Sequence, residues 1–188
     1  IGGQAVLPDH AHLVRALDRR FRRASVPEPG LPGHLRGEAL DWELAAKLAP
    51  ALRERAAVGH WPHDATLPRQ LGPARRSGAV TPVEAGLILW LYALQAAFDA
   101  DWVLVRPASE GPGGRVSLAG YTEALVRVRL GDEVRWIDAA CAACGPFEVR
   151  PELEGASTLS AHDVDGPSPT PGLWEAVVEP DRVAWRLK

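Results

Sequence analysis

The apolar residues of this chain fall first at helical and then at strand-like spacing. From His10 to Ala24, Leu13, Val14, Leu17 and Phe21 recur at three- and four-residue intervals, which predicts an amphipathic helix. Arg15, Arg19, Arg20, Arg22 and Arg23 cover the rest of it. A solvated face is the ordinary reading of such arginines, and an anionic partner surface is the alternative. Val26 to Gly37 contains three Pro and three Gly and reads as a linker. A second helix is expected from about Glu38 to Val58, kinked or split at Pro50, which lacks a backbone donor. After an irregular connection from Gly59 to Gly78 comes Thr81-Pro82-Val83-Glu84. Thr81 can cap a helix, Pro82 suits its first position, and Glu84 can reach back to complete a capping box. The helix it opens runs to about Ala97 and is apolar almost all round, so it should be buried.

Beyond this helix the period changes to two. Asp101 to Arg106 reads as a strand, and Pro107 to Gly120 as a Gly/Pro-rich loop. Two alternating runs meet at Gly131-Asp132 and predict a hairpin that ends on Trp136-Ile137-Asp138. A short strand is expected near Thr158, and a terminal hairpin from Leu173 to Val178 and Arg182 to Leu187. Helices first and strands afterwards predict an α+β fold, with N-terminal helices and a buried central helix packed on an antiparallel β-sheet. Two registers compete for the central hairpin. A two-residue loop pairs Val128 with Arg135. A three-residue loop, Gly131 to Glu133, pairs Leu130 with Val134, Val128 with Trp136 and Val126 with Asp138. The second keeps apolar residues together and is preferred. It leaves Asp138 on the buried face, and alternation then turns Glu123 away from it.

Length and composition narrow the classes. The chain has 188 residues, enough for one large domain, or one domain with an extension, and a substantial core. Hydrophobic residues make up 46% and charged residues 24%, which is ordinary for a globular protein. The net charge of −3 gives no pointer to nucleic acid. There are 19 Arg and two Lys, an imbalance that fits genome base composition better than function. The longest apolar run, from Ala85 to Leu94, is too short to span a bilayer. Met is absent even at position 1, which points to an excised domain or a processed product.

The stretch ARRSGAVTPVEAGLILWLYALQAAFDADWVLVRP, followed by the hairpin that closes on Asp138, resembles a transglutaminase-like domain, the cysteine-protease-related fold of many bacterial proteins. The resemblance runs from about Glu38 to Ser160 and is clearest from Ala65. It implies three units: residues 1–37 as N-terminal helix and linker, 38–160 as the transglutaminase-like domain, and 161–188 as a C-terminal β-hairpin extension. In that family a Cys at the start of the buried helix is the nucleophile. The helix dipole and a nearby imidazole stabilise its thiolate. A His opening the first hairpin strand acts as base, and an Asp closing the second orients it. Here the Asp position holds Asp138. The His position holds Glu123 or Thr122, and the nucleophile position falls on Val80, Thr81 or Pro82. The resemblance therefore implies a degenerate site at Thr81, Pro82, Glu123 and Asp138. Thr81 could attack only with a base, and Glu123 is a poor base for a hydroxyl.

Other residues offer chemistry. Cys141-x-x-Cys144 and His60-x-x-His63 together have the composition of a tetrahedral zinc site. Buried free thiols are the leading reading of the two Cys in their Ala-rich turn, ahead of a disulfide and then of zinc. Glu84, Trp136 and Asp138 are candidates to line a cleft, with Glu123 adding charge if the carboxylates converge. Trp61, Trp90 and Trp102 are further candidate walls. The resulting expectation is a non-catalytic binding or scaffold module of a larger bacterial protein, cytoplasmic or periplasmic, with a protein or peptide partner. It would have no cofactor, no nucleic acid and no transmembrane segment. The alternatives are a thiol hydrolase or acyltransferase using Cys141 or Cys144, and a small zinc-binding domain.

Overall fold

The structure, a computed structural model, describes residues 10–26, 29–59, 68–107, 121–153, 156–160, 174–178 and 183–187. Helix α1 spans His10–Ala24 and buries Val14, Leu17 and Phe21. Helix α2 spans Trp42–Arg53. It starts later than the apolar spacing suggests because Asp41 caps it, accepting a 2.9 Å hydrogen bond from the Leu44 N–H. The helix runs through Pro50 without being split there. The Pro/Gly stretch between these helices lies against the core. Leu31 and Leu35 are buried, and the Leu31 N–H donates to Gln95 Oε1 at 2.6 Å.

Strands β1, Ala57–Val58, and β2, Ala79–Val80, form a small parallel pair flanking helix α3, Leu71–Arg76. Helix α4 then runs Pro82–Gln95, and every residue from Pro82 to Ala93 is buried. The expected capping box is present at its start. At its end Ala97 adopts a positive φ of 67°, with the Phe98 N–H donating to Ala93 O and the Ala97 N–H to Leu94 O, both at 3.0 Å. That is a Schellman motif with Ala where Gly is usual.

Six strands follow: β3 (Asp99–Arg106), β4 (Glu123–Leu130), β5 (Glu133–Ile137), β6 (Ser157–Ser160), β7 (Trp174–Val178) and β8 (Val183–Leu187). They form one antiparallel sheet in the order β5-β4-β3-β6-β7-β8. The architecture is α+β, as the order of periodicities predicts. The terminal hairpin extends the sheet through β6.

Alternation divides the sheet residues between two apolar layers. Ala100, Trp102, Leu104, Ala124, Val126, Val128 and Ile137 join the helices in the main core. Val103, Val105, Leu125 and Trp136 face the other way and pack with Val149, Leu153 and Ala156, which follow β5. Helix α4 lies very close to β4. A Cβ added at Gly86 would sit 2.6 Å from Ala124 Cβ and 2.8 Å from its carbonyl oxygen. A glycine is required there.

The hairpin register is the two-residue one. Val128 pairs with Arg135, Val126 with Ile137 and Leu130 with Glu133, with Gly131 at φ 60° in the turn. The preferred pairing of Val128 with Trp136 is therefore corrected. A shift of one residue exchanges the faces of a strand. In the observed register Glu123 and Asp138 fall on the same face rather than on opposite ones.

Candidate functional site

The strand ends meet in an ion cluster. Continuing the β4–β5 register past Ile137 puts Asp138 opposite Leu125, on the face that also carries Glu123. The chain then turns through residues 139–150 and returns Arg150 to that face. Arg150 Nε donates to Asp138 Oδ2 at 2.7 Å, and one terminal nitrogen of the same guanidinium donates to Glu123 Oε2 at 2.5 Å. The Asp138 carboxylate also accepts from the backbone N–H groups of Ala140, at 3.0 Å, and Arg150, at 3.3 Å. The Asp138 side chain is fully buried, that of Glu123 is 4% exposed and that of Arg150 is 17% exposed. A fork of donors in one plane can serve two carboxylates at once. Burial pulls the Arg150 pKa down, but Asp138 and Glu123 outweigh it, raise the pKa and keep the guanidinium charged.

The start of α4 is a second ionic knot. Thr81 Oγ1 accepts from the Glu84 N–H at 3.2 Å, and Glu84 Oε2 accepts from the Thr81 N–H at 3.0 Å. Arg69 grips the same carboxylate from outside the helix, donating from Nε to Oε1 at 2.8 Å and from a terminal nitrogen to Oε2 at 2.7 Å. Its backbone N–H adds a third bond to Oε1, at 3.0 Å. Burial raises the Glu84 pKa, but these donors outweigh it and hold the carboxyl below its ordinary value of 4.5. The Thr81 hydroxyl accepts as a cap, and Pro82 is buried at the first helical position. The three candidate cleft carboxylates thus divide into two centres, each with an arginine: Glu84 with Arg69, and Glu123 and Asp138 with Arg150.

Cys141 and Cys144 are joined to each other by a disulfide, not held as free thiols. The bridge lies in the turn after Asp138, where Arg53 of α2 donates to the carbonyl oxygens of Cys141, at 3.0 Å, and Ala139, at 3.4 Å. His60, His63 and Trp61 lie outside the described residues. Among the described residues no cluster of three or more His, Cys, Asp or Glu could hold a metal. Trp90 and Trp102 belong to the main core: Trp90 Nε1 donates to Ala100 O at 3.0 Å and Trp102 Nε1 to Asp18 Oδ1 at 3.3 Å. Trp136 packs in the second apolar layer.

Arg150 is the residue that sequence reasoning missed. The signal available was indirect: a carboxylate buried at a strand end demands donors, and an arginine is one way to supply them.

No protein-family model matches the sequence, and no curated protein does. A solved structure from Parabacteroides distasonis, described as a candidate protease, is similar in fold, with a TM-score of 0.57 at 14% identity. The similarity covers 82% of this chain but 30% of that one, so this chain spans less than a third of the protein it resembles. At that identity the likeness is one of fold.

Proposed function

We propose that this chain is a degenerate transglutaminase-like domain, acting as a non-catalytic protein- or peptide-binding module of a larger bacterial protein. The observation that carries the reading is Arg150. The positions that would hold a base and its orienting carboxylate hold Glu123 and Asp138, and one guanidinium engages both. A general base must offer a lone pair to a substrate or nucleophile proton. Asp138 has both oxygens engaged by donors and a fully buried side chain. At the nucleophile position Thr81 serves as a helix cap. The arrangement suits rigidity better than proton transfer.

The thiol-enzyme alternative has less support, because the two sulfurs are bonded to each other. Disulfides persist in oxidising compartments, which favours the periplasm over the cytoplasm in this reading.

The test is turnover. The chain is incubated, with reductant present so that both cysteines are thiols, with a glutamine peptide plus a fluorescent amine and with a mixed peptide library. Neither amine incorporation nor cleavage is expected. Turnover that disappears in Cys141→Ser or Thr81→Ala would overturn the proposal.

A further inference from the structure

A groove of about 580 Å³ runs between α1 and the extended segment before α3. Arg19, Arg20 and Arg23 of α1 line it on one side and Arg69 on the other, with Ala16 and Ala24 at the two ends of the α1 stripe. The rest of the described lining is proline and glutamine, so no carboxylate is among the described lining residues. Arg69 is itself engaged by Glu84 and by the Ala79 carbonyl oxygen, so the charge offered to a ligand is that of Arg19, Arg20 and Arg23. The three helix arginines are exposed. The single acid of α1, Asp18, is taken by Arg22 at 2.8 Å and by Trp102 Nε1. Five Arg against one Asp make α1 a basic element in a chain whose net charge is −3.

We propose that this groove binds an acidic peptide segment in extended form. Guanidinium groups pair with carboxylates in fork geometry. Arg19 and Arg23 stand one helical turn apart, about 6 Å along the axis, which is roughly the spacing of alternate residues in an extended chain. Alternate acidic side chains of an extended peptide could therefore meet Arg19 and Arg23 in turn. The other polyanions fit less well. Single-stranded nucleic acid relies on aromatic stacking platforms, and there are none among the described lining residues. A helix that lies on anionic lipid needs a free apolar face. Val14, Leu17 and Phe21 of α1 are buried in the core. The inference rests on the peptide-binding reading above for the existence of a peptide ligand, and it assigns that ligand a surface and a charge.

The experiment is fluorescence polarisation of a labelled hexaglutamate peptide titrated with the full chain at low and raised salt. Binding that weakens with salt is expected, with none for hexaglutamine. The double variant Arg19→Glu/Arg23→Glu should lose about tenfold in affinity, since two exposed ion pairs are replaced by repulsion. The double variant Arg55→Glu/Arg129→Glu has the same net charge and should bind like the parent. Equal loss in both variants, or no binding of hexaglutamate, would overturn the groove. So would an oligothymidylate of equal charge, or a phosphatidylserine vesicle, bound as tightly as the peptide. Peptide binding insensitive to Arg19→Glu/Arg23→Glu defeats the groove but leaves a binding module that uses another surface. Cleavage of the peptide defeats the non-catalytic reading and leaves the groove.

Discussion

Arg150 shows how one side chain can hold two buried carboxylates at once. Two buried carboxylates on one sheet face would repel each other and lose hydration, and each alone would be costly. One guanidinium answers both, from donors set in a fixed plane. Lysine cannot copy this, because its compact ammonium lacks the fork. Arg150→Met should therefore destabilise the protein by about 3–5 kcal/mol, the usual cost of leaving a buried charge without its partner. Asp138→Ala should cost less, about 1–3 kcal/mol, because Arg150 keeps Glu123 as its ionic partner and what is freed is Arg150 Nε and the backbone N–H groups of Ala140 and Arg150. Urea denaturation of the two variants checks the order, and Arg150→Met within 1 kcal/mol of the parent would show that the cluster is not a pin. The need of Asp138 for donors was legible from its place at the end of an apolar strand. The identity of the donor was not. Arg150 stands twelve residues on, in a connection without periodicity, and it is one of 19 arginines.

At the scale of elements, what could be read from the chain followed local physics. The α4 capping box lies within four consecutive residues, and the structure closes it as the side-chain chemistry predicts. The hairpin register depended on more distant residues. Pairing Val128 with Arg135 looked unfavourable because it set a charge against an apolar neighbour. In the fold Arg135 lies over the rings of Trp42 and Phe147, 4.4 and 4.8 Å from their centroids. Those aromatics come from the start of α2 and from the turn after β5, so no cross-strand count could include them. Gly131 in the positive-φ region then permits the tight two-residue turn. The contact of α4 with β4 gives this scale its prediction. Gly86→Ala would raise helix propensity by about 1 kcal/mol in isolation. Here the new methyl would meet Ala124 Cβ at 2.6 Å and backbone oxygen at 2.8 Å, neither the far end of a flexible chain. Helix and sheet must move apart, so the net effect should be destabilising by about 1–3 kcal/mol. A thermal melt at or above that of the parent would contradict it.

At the scale of the whole molecule, charge is segregated in a way the net value of −3 conceals. Arginines gather on α1, while Glu84, Glu123 and Asp138 are buried beside arginines of their own. The three long helices and the existence of the sheet were visible in the periodicity, whereas α3 lies in the stretch from Gly59 to Gly78 that reads as irregular. The way residues 68–70 are held at the start of α4 was not visible, because that segment has no period and its anchor is one buried carboxylate. This anchor makes stability depend on pH with a definite sign. Glu84 holds its carboxyl below the ordinary value of 4.5 when folded and returns to it on unfolding. Above 4.5 both states are ionised and the contribution is fully present. As pH falls through that value the unfolded chain takes up the proton first, and stability declines until the folded carboxyl is protonated as well. In Glu84→Gln this contribution is absent at every pH. The variant should be less stable than the parent at pH 7, and the gap should narrow as the pH is lowered below about 4.5, because the parent alone loses the ionised anchor. Chemical denaturation at a series of pH values measures both curves, and a gap that stays constant from pH 7 through the acid range would show that the Glu84–Arg69 knot does not couple protonation to folding.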